Sequence, residues 1–297
     1  MALLLVERFS IELAPTALLK AGSGVARLLP VLPAGTRVYL PSLPGDPPDA
    51  IEQSIALLRR SHDGLVPVPH IPAQRVASLA TLEQQLSRWQ RTATDGVLRE
   101  ALIVRGDAHG HNTADSVATA AAASNAPPFP DSLALLETDV LQRHGFDAVS
   151  LCGHPEGVGD LSADAARLAL TRKLEWAAGA GVAPRVVTQF CFDATTTTRF
   201  VDELRRGGAA GASAPVSLGV VGPTKRPMRS RMAERCGVRP PPPARANAGG
   251  DEDDGWPGEY IESLERWQAS SGAAGAAVEL HVYPFGGLRR TLDWLGV

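Results

Sequence analysis

Short apolar runs alternate along this chain with stretches whose apolar residues recur at helical spacing, and that alternation points to parallel βα units rather than to separate all-α or all-β parts. The run at 9–13 predicts a first strand, followed by a helix over 16–29. A second strand is expected at 37–40 and a helix at 49–60, where Ile51, Ile55 and Leu58 recur on one face. The third strand falls at 65–70, although Pro67 and Pro69 lack the N–H that a central strand donates and so weigh against it. A helix over 79–92, a strand at 101–104 and a helix over 131–144 come next. Strands at 148–151, 186–189 and 216–220 are each followed by a helix, beginning near Ser162, Asp193 and Thr224. The last unit is a strand at 278–283 with a helix after Gly287.

Eight such units favour closure into a (β/α)8 TIM-type barrel over an open doubly wound sheet, because closure removes both exposed sheet edges. A chain of 297 residues suits one such domain, here the whole of 1–297. Two segments break the alternation. Residues 109–130 are rich in Ala, Asn and Pro, and 237–257 carry four consecutive prolines and the acidic run 251–254. Such compositions bury too little apolar surface to offset chain ordering, so both are predicted to be mobile insertions.

Composition narrows the function. The net charge is -3 and the basic residues are scattered, which argues against a nucleic-acid partner. Cys152, Cys191 and Cys236 are odd in number and lack metal-ligand spacing, so a reducing, cytoplasmic setting is expected and no metal site is read. The apolar start at 1–6 is too short for a signal core, and no run reaches membrane-spanning length, so no membrane partner is expected. Gly22-Ser23-Gly24 lies within a helical pattern, which is the wrong context for a phosphate-binding turn. No dinucleotide fingerprint selects NADH or NADPH, and oligomeric state, a homo-oligomer included, is left open.

The polar residues at strand C-termini are where barrel chemistry belongs. Glu12 ends the first strand; alone it suits a salt-bridged acid, but partial burial would make it a proton donor. Asp107 closes Arg105-Gly106-Asp107 after the fourth strand, where glycine allows close backbone approach to a planar ligand and the acid tunes it; an ordinary turn is the simpler alternative. His70 suits either a structural hydrogen bond or a ligand contact. Gln189, ending an otherwise apolar strand, offers both donor and acceptor to a heterocycle without carrying charge, and equally suits a satisfied buried amide. Arg172-Lys173, in the helix after strand five, is either solvated or placed to meet phosphate.

In order along the chain, Phe9-Ser10-Ile11-Glu12, Pro69-His70, Arg105-Gly106-Asp107, His154-Pro155-Glu156, Leu170-Thr171-Arg172-Lys173, the segment Thr188-Gln189-Phe190-Cys191-Phe192-Asp193 and the turn His281-Val282-Tyr283-Pro284 resemble the motifs of the methylenetetrahydrofolate reductase family. The resemblance implies a flavoprotein barrel in which NADH or NADPH reduces FAD and hydride passes to 5,10-methylenetetrahydrofolate, giving 5-methyltetrahydrofolate. It implies Glu12 as the group assisting ring opening, Asp107 as the stabiliser of developing positive charge, and Gln189 as a pterin contact, with Glu12 and Asp107 also touching substrate. His70, Arg105, Gly106, Asp107, His154 and Lys173 are then the expected FAD contacts. The chain departs from the family where His154 replaces a tyrosine, Val158 a flavin-site histidine and Thr171 a lysine, and where the aromatic near 224–226 that stacks on substrate is missing. These departures fall on cofactor and substrate contacts and put FAD retention in question. A non-catalytic folate-binding barrel and a folate-dependent methyltransferase are the alternative readings.

Overall fold

The computed structural model describes residues 8–20, 24–93, 98–106, 127–159, 161–241, 255–270 and 278–297. Its strands are β1 (Phe9–Glu12), β2 (Arg37–Leu40), β3 (Val66–Pro72), β4 (Glu100–Val104), β5 (Ala148–Gly153), β6 (Ala183–Thr188), β7 (Val216–Val221) and β8 (Val278–Tyr283). All neighbours are parallel, and β8 returns to pair with β1 through Phe9 to Leu280 and Ser10 to His281, which closes the barrel. The helices are α1 (Pro15–Leu19), α2 (Ala50–Ser61), α3 (Leu79–Thr92), α4 (Ser132–Leu136), α5 (Val140–Arg143), α6 (Ala163–Ala180), α7 (Ala194–Arg206), α8 (Ala209–Ser213), α9 (Arg226–Cys236), α10 (Gly258–Ser270) and α11 (Leu288–Leu295).

The period-2 alternation of the strands separates an outer apolar core from an inner one. Outward residues such as Ile11, Val38, Leu40, Ile103, Leu151, Val186, Leu218 and Val282 join the buried faces of the helices in one large cluster. Inside the barrel lies a separate, smaller plug of Tyr39, Val68, Leu102 and Val187. The third strand survives its prolines because of where their missing hydrogens would point. Val66 N–H donates to Thr36 C=O on the β2 side, so positions 67 and 69 face β4, and pairing with β4 starts only at His70. Both prolines therefore pair by register with β2 and remove no bond from an existing ladder.

Two helices expected to be continuous are divided. The stretch 16–29 splits into α1 and a 3-10 segment, Val25–Val31, entered through Gly24 at φ 72 and containing Pro30. The stretch 131–144 splits into α4 and α5 at Asp139, whose φ of 54 is left-handed. Each break follows from backbone geometry that a repeat of apolar residues does not encode. Most of both insertions, 109–126 and 242–254, lies outside the described residues, whereas the flanking Phe129 is buried and Trp256 packs on the core. Among the described residues no helix is long and apolar enough to cross a membrane.

Candidate functional site at the barrel mouth

Glu12 is the last residue of β1 and points into the barrel above the apolar plug, with its side chain 22% exposed. Two imidazoles flank it. His70 Nε2, from β3, lies 3.8 Å from Glu12 Oε2, and His281 Nε2, from β8, lies 4.0 Å from the same oxygen. Both nitrogens are buried without a hydrogen-bond partner. Burial pushes the His70 imidazole down to about 4, and the Glu12 carboxylate only partly offsets that, so His70 is neutral at neutral pH. His281 Nδ1 is 2.9 Å from Ser10 Oγ, and its ring stands edge-on between Tyr39 at 4.7 Å and Tyr283 at 4.8 Å. The period-2 face Glu279, His281, Tyr283 carried this signal in the sequence, as did Ser10 two positions before Glu12; neither was assigned a role there.

Gln189 follows β6 on the same C-terminal rim, half-buried, with Oε1 accepting the N–H of Phe190 at 3.0 Å. Its segment leans over β7 because Gly219 has no side chain. A Cβ there would lie 2.4 Å from Thr188 O and 2.6 Å from Phe190 N. Thr188 Oγ1 instead accepts the Gly219 N–H at 2.8 Å. Beside it Phe190, Phe192, Tyr283, Phe285 and Trp256 form an aromatic cap, with Tyr283 donating to Thr188 C=O at 3.3 Å. Trp256 was hidden within the expected insertion, and its ring N–H reaches Val221 C=O at 2.8 Å.

A second polar group lies between β5 and α6. Lys173 is buried, with Nζ donating to Ser132 Oγ at 3.3 Å, and among the described residues no carboxylate pairs with it. Desolvation lowers its proton affinity, with Cys152 and Asp131 opposing the shift. His154 is brought to about 4 by burial and by the nearby ammonium, and its Nδ1 has no partner. Burial pushes the Cys152 thiol up to about 11, so it is not a ready nucleophile. Glu156 does not join this group. Its carboxylate accepts the Arg239 N–H at 2.9 Å and tethers the β5 turn to the chain before 242–254.

Of the other expected contacts, Arg105 is exposed at the end of β4, and Gly106 takes φ 73 with Pro72 so close that a Cβ would lie 2.6 Å from its Cβ. Asp107 lies outside the described residues. Thr171 turns its hydroxyl onto Arg167 C=O in its own helix. Val158 forms a short backbone bridge with Leu161 and brings no polar group. Thr224 is buried, and no aromatic stands at 224–226. The structure thus brings Glu12 and Gln189 to one rim and gathers His70 with Glu12, while Lys173 and His154 form a neighbouring group. Among the described residues no cluster of His, Cys, Asp or Glu is arranged to hold a metal.

Fold and site together define a closed (β/α)8 barrel in which His70 Nε2, His281 Nε2 and His154 Nδ1, without hydrogen-bond partners among the described residues, lie at the end where such barrels place their chemistry. No family model matches the chain. Among solved structures it is similar to an uncharacterized protein from Clostridium thermocellum that binds two copies of 5-methyl-5,6,7,8-tetrahydrofolic acid; the likeness has a TM-score of 0.59, covers 99% of this chain and 94% of that one, and has 9% identity. At that identity the likeness carries the fold.

Proposed function

We propose that this barrel binds a reduced folate at its C-terminal mouth and is a methylenetetrahydrofolate reductase. The observation that carries the reading is Glu12, a half-sheltered carboxyl set between two buried, partnerless imidazole nitrogens on the rim that also holds Gln189. A positioned carboxyl next to an amide that reads a heterocycle is what protonation and opening of a five-membered folate ring requires. The similar structure from Clostridium thermocellum binds 5-methyltetrahydrofolate, the product of this reaction, on a barrel of the same fold.

In this proposal Glu12 protonates the bridging nitrogen of 5,10-methylenetetrahydrofolate, opening the ring to an iminium ion, and Gln189 holds the pterin. Asp107 is assigned the stabilisation of that cation by the family resemblance alone. FAD would supply hydride, replenished by NADH or NADPH. The residues fit a flavin nucleotide in one respect: among the described residues the buried Lys173 ammonium has only the Ser132 hydroxyl, with no carboxylate, and the buried His154 Nδ1 has no hydrogen-bond partner. Arg105, Gly106, Asp107, His154 and Lys173 would hold it, and His70 is shared with Glu12.

A second reading, a folate-binding barrel without flavin chemistry, is favoured by Val158, whose side chain cannot hydrogen-bond where the family has a histidine, and by neutral His154 in place of a tyrosine. An anaerobic assay of the purified protein with each nicotinamide and methylenetetrahydrofolate, following flavin absorbance and methylated product together, separates the two. The reductase reading expects flavin absorbance, its bleaching by one nicotinamide, and product. It also expects Glu12→Gln to spare flavin reduction while slowing the folate half-reaction by about 10²-fold or more. Folate binding with no flavin and no nicotinamide oxidation would establish the second reading; absence of folate binding would end both.

A further inference from the structure

We propose that Ser10 and His281 are a positioning pair for Glu12, in which Ser10 Oγ accepts the Nδ1 hydrogen of His281 and so leaves Nε2 as an acceptor turned toward the Glu12 carboxyl. The inference rests on the reading of Glu12 as the proton donor to a folate and specifies how that proton is held.

Three observations carry it. Ser10 Oγ is 2.9 Å from His281 Nδ1 and also 3.4 Å from Leu280 C=O, a carbonyl that can only accept. With the single hydroxyl hydrogen directed to the carbonyl, Oγ is the acceptor for the imidazole N–H. A neutral imidazole with hydrogen on Nδ1 has a lone pair on Nε2. That nitrogen is fully buried, has no partner, and is 4.0 Å from Glu12 Oε2.

The ring itself is held in place. Tyr39 and Tyr283 contact it edge-on from two sides, at interplanar angles of 81° and 88°, so the part-exposed carboxyl is the partner free to turn. In this pairing a turn of the Glu12 side chain closes the 4.0 Å gap to hydrogen-bond length. When protonated, the carboxyl donates its O–H to Nε2, which fixes the direction from which it delivers that proton to a folate nitrogen. Besides His281, the titratable groups facing Glu12 are His70 from β3, Cys152 from β5, Tyr283 from β8 and Cys236 from α9, with Tyr39 of β2 behind both histidines. Each is neutral at neutral pH. Among the described residues no Lys or Arg pairs with Glu12, and its ion-pair neighbours are the two imidazoles.

The test is ¹⁵N NMR of the histidine side chains in the free protein, which needs neither flavin nor folate. The expected spectrum has His281 with a protonated Nδ1 and a bare Nε2, and Ser10→Ala moves more than half of the population to the Nε2–H form. In the folate half-reaction, Ser10→Ala is expected to shift the acidic group of the pH profile by one unit or more, and His281→Gln, which keeps a polar atom near the Nε2 position, to retain at least tenfold more rate than His281→Leu. A wild-type His281 protonated on Nε2, or a tautomer indifferent to Ser10→Ala in a folded variant, would overturn the pairing. A protein with the expected tautomer that neither binds nor reduces a folate supports the pairing and overturns the function it is meant to serve.

Discussion

The two ends of the barrel interior use the same residue types to opposite effect. At the N-terminal end the even-numbered strands contribute a ring of alternating charge, Arg37 from β2, Glu100 from β4, Arg185 from β6 and Glu279 from β8. Every acid in it is answered. Glu100 takes Arg37 at 2.7 Å, Ser150 at 2.6 Å and Arg185 at 3.8 Å, while Glu279 takes Arg185 at 2.9 Å and Ser217 at 2.8 Å. At the C-terminal end His70 Nε2, His281 Nε2 and His154 Nδ1 have no partner, and Lys173 has one neutral hydroxyl. A buried polar group left unsatisfied costs about 1–3 kcal/mol, so the upper groups carry a cost that the lower ones do not, and a ligand that met them would relieve it.

The sharpest way to break that contrast is to remove one charge from each end. Glu100→Leu removes the carboxylate bonded to Arg37, leaving it only the more distant Glu279, and is expected to lower stability by about 3 kcal/mol in urea unfolding at neutral pH. Glu12→Gln is expected to stay within about 1 kcal/mol of wild type, because the two imidazoles lie 3.8 and 4.0 Å away and the amide keeps a donor to offer His281 Nε2. Equal losses in the two variants would mean that the mouth is as structural as the floor.

Acid exposes the same asymmetry through His70. Its folded-state value of about 4 lies below the ordinary 6.5, so between those values the unfolded chain binds more protons than the native one. Stability is therefore full above about pH 6.5 and falls as pH drops toward 4. The depression corresponds to about 3 kcal/mol for this group, an order-of-magnitude figure. Replacing His70 with Gln should flatten the stability profile between pH 7 and 4.5 by a measurable part of that amount. A profile as steep in the variant as in wild type would place the acid sensitivity elsewhere.

Much of the fold could be read from the sequence because the outward side of each strand is continuously apolar and each helix repeats its own apolar face. The interior could not. Arg37, Arg185, Ser217 and Glu279 alternate with apolar residues as they would in a half-solvated strand, and only closure of the sheet turns that polar face inward. The prolines of β3 misled for a related reason: their effect depends on which neighbour the missing N–H would face, and that is fixed by register. Glu12 and Gln189 were legible as single polar residues ending apolar runs. His281 was not singled out, because its partner Ser10 is 271 positions away and meets it only where β8 closes onto β1.

Lys173 tests the contrast from the side of stability. Its ammonium is desolvated and has only the Ser132 hydroxyl, so Lys173→Met, which keeps the shape of the stem, is expected to raise stability by about 1–2 kcal/mol. The same change should abolish any rise in melting temperature produced by added FAD. A destabilised variant would show that the cation is satisfied within the protein and is not held open for a ligand.

The smallest effect is expected at Gln189, and it bears on what the mouth recognises. Oε1 is already engaged by Phe190 N–H at 3.0 Å, so among the described residues the amide offers only its N–H groups outward. Such a side chain recognises an acceptor edge of a heterocycle. Gln189→Leu removes one neutral hydrogen bond, about 1 kcal/mol, and should weaken 5-methyltetrahydrofolate binding by about fivefold to tenfold in titration calorimetry, with no change in unfolding. Gln189→Glu puts an acceptor, and a charge, opposite the same acceptor edge and should weaken binding more than the leucine does. If the glutamate bound better than the leucine, the ligand would be presenting donors at this point, and the orientation of the pterin on the rim would have to be reversed.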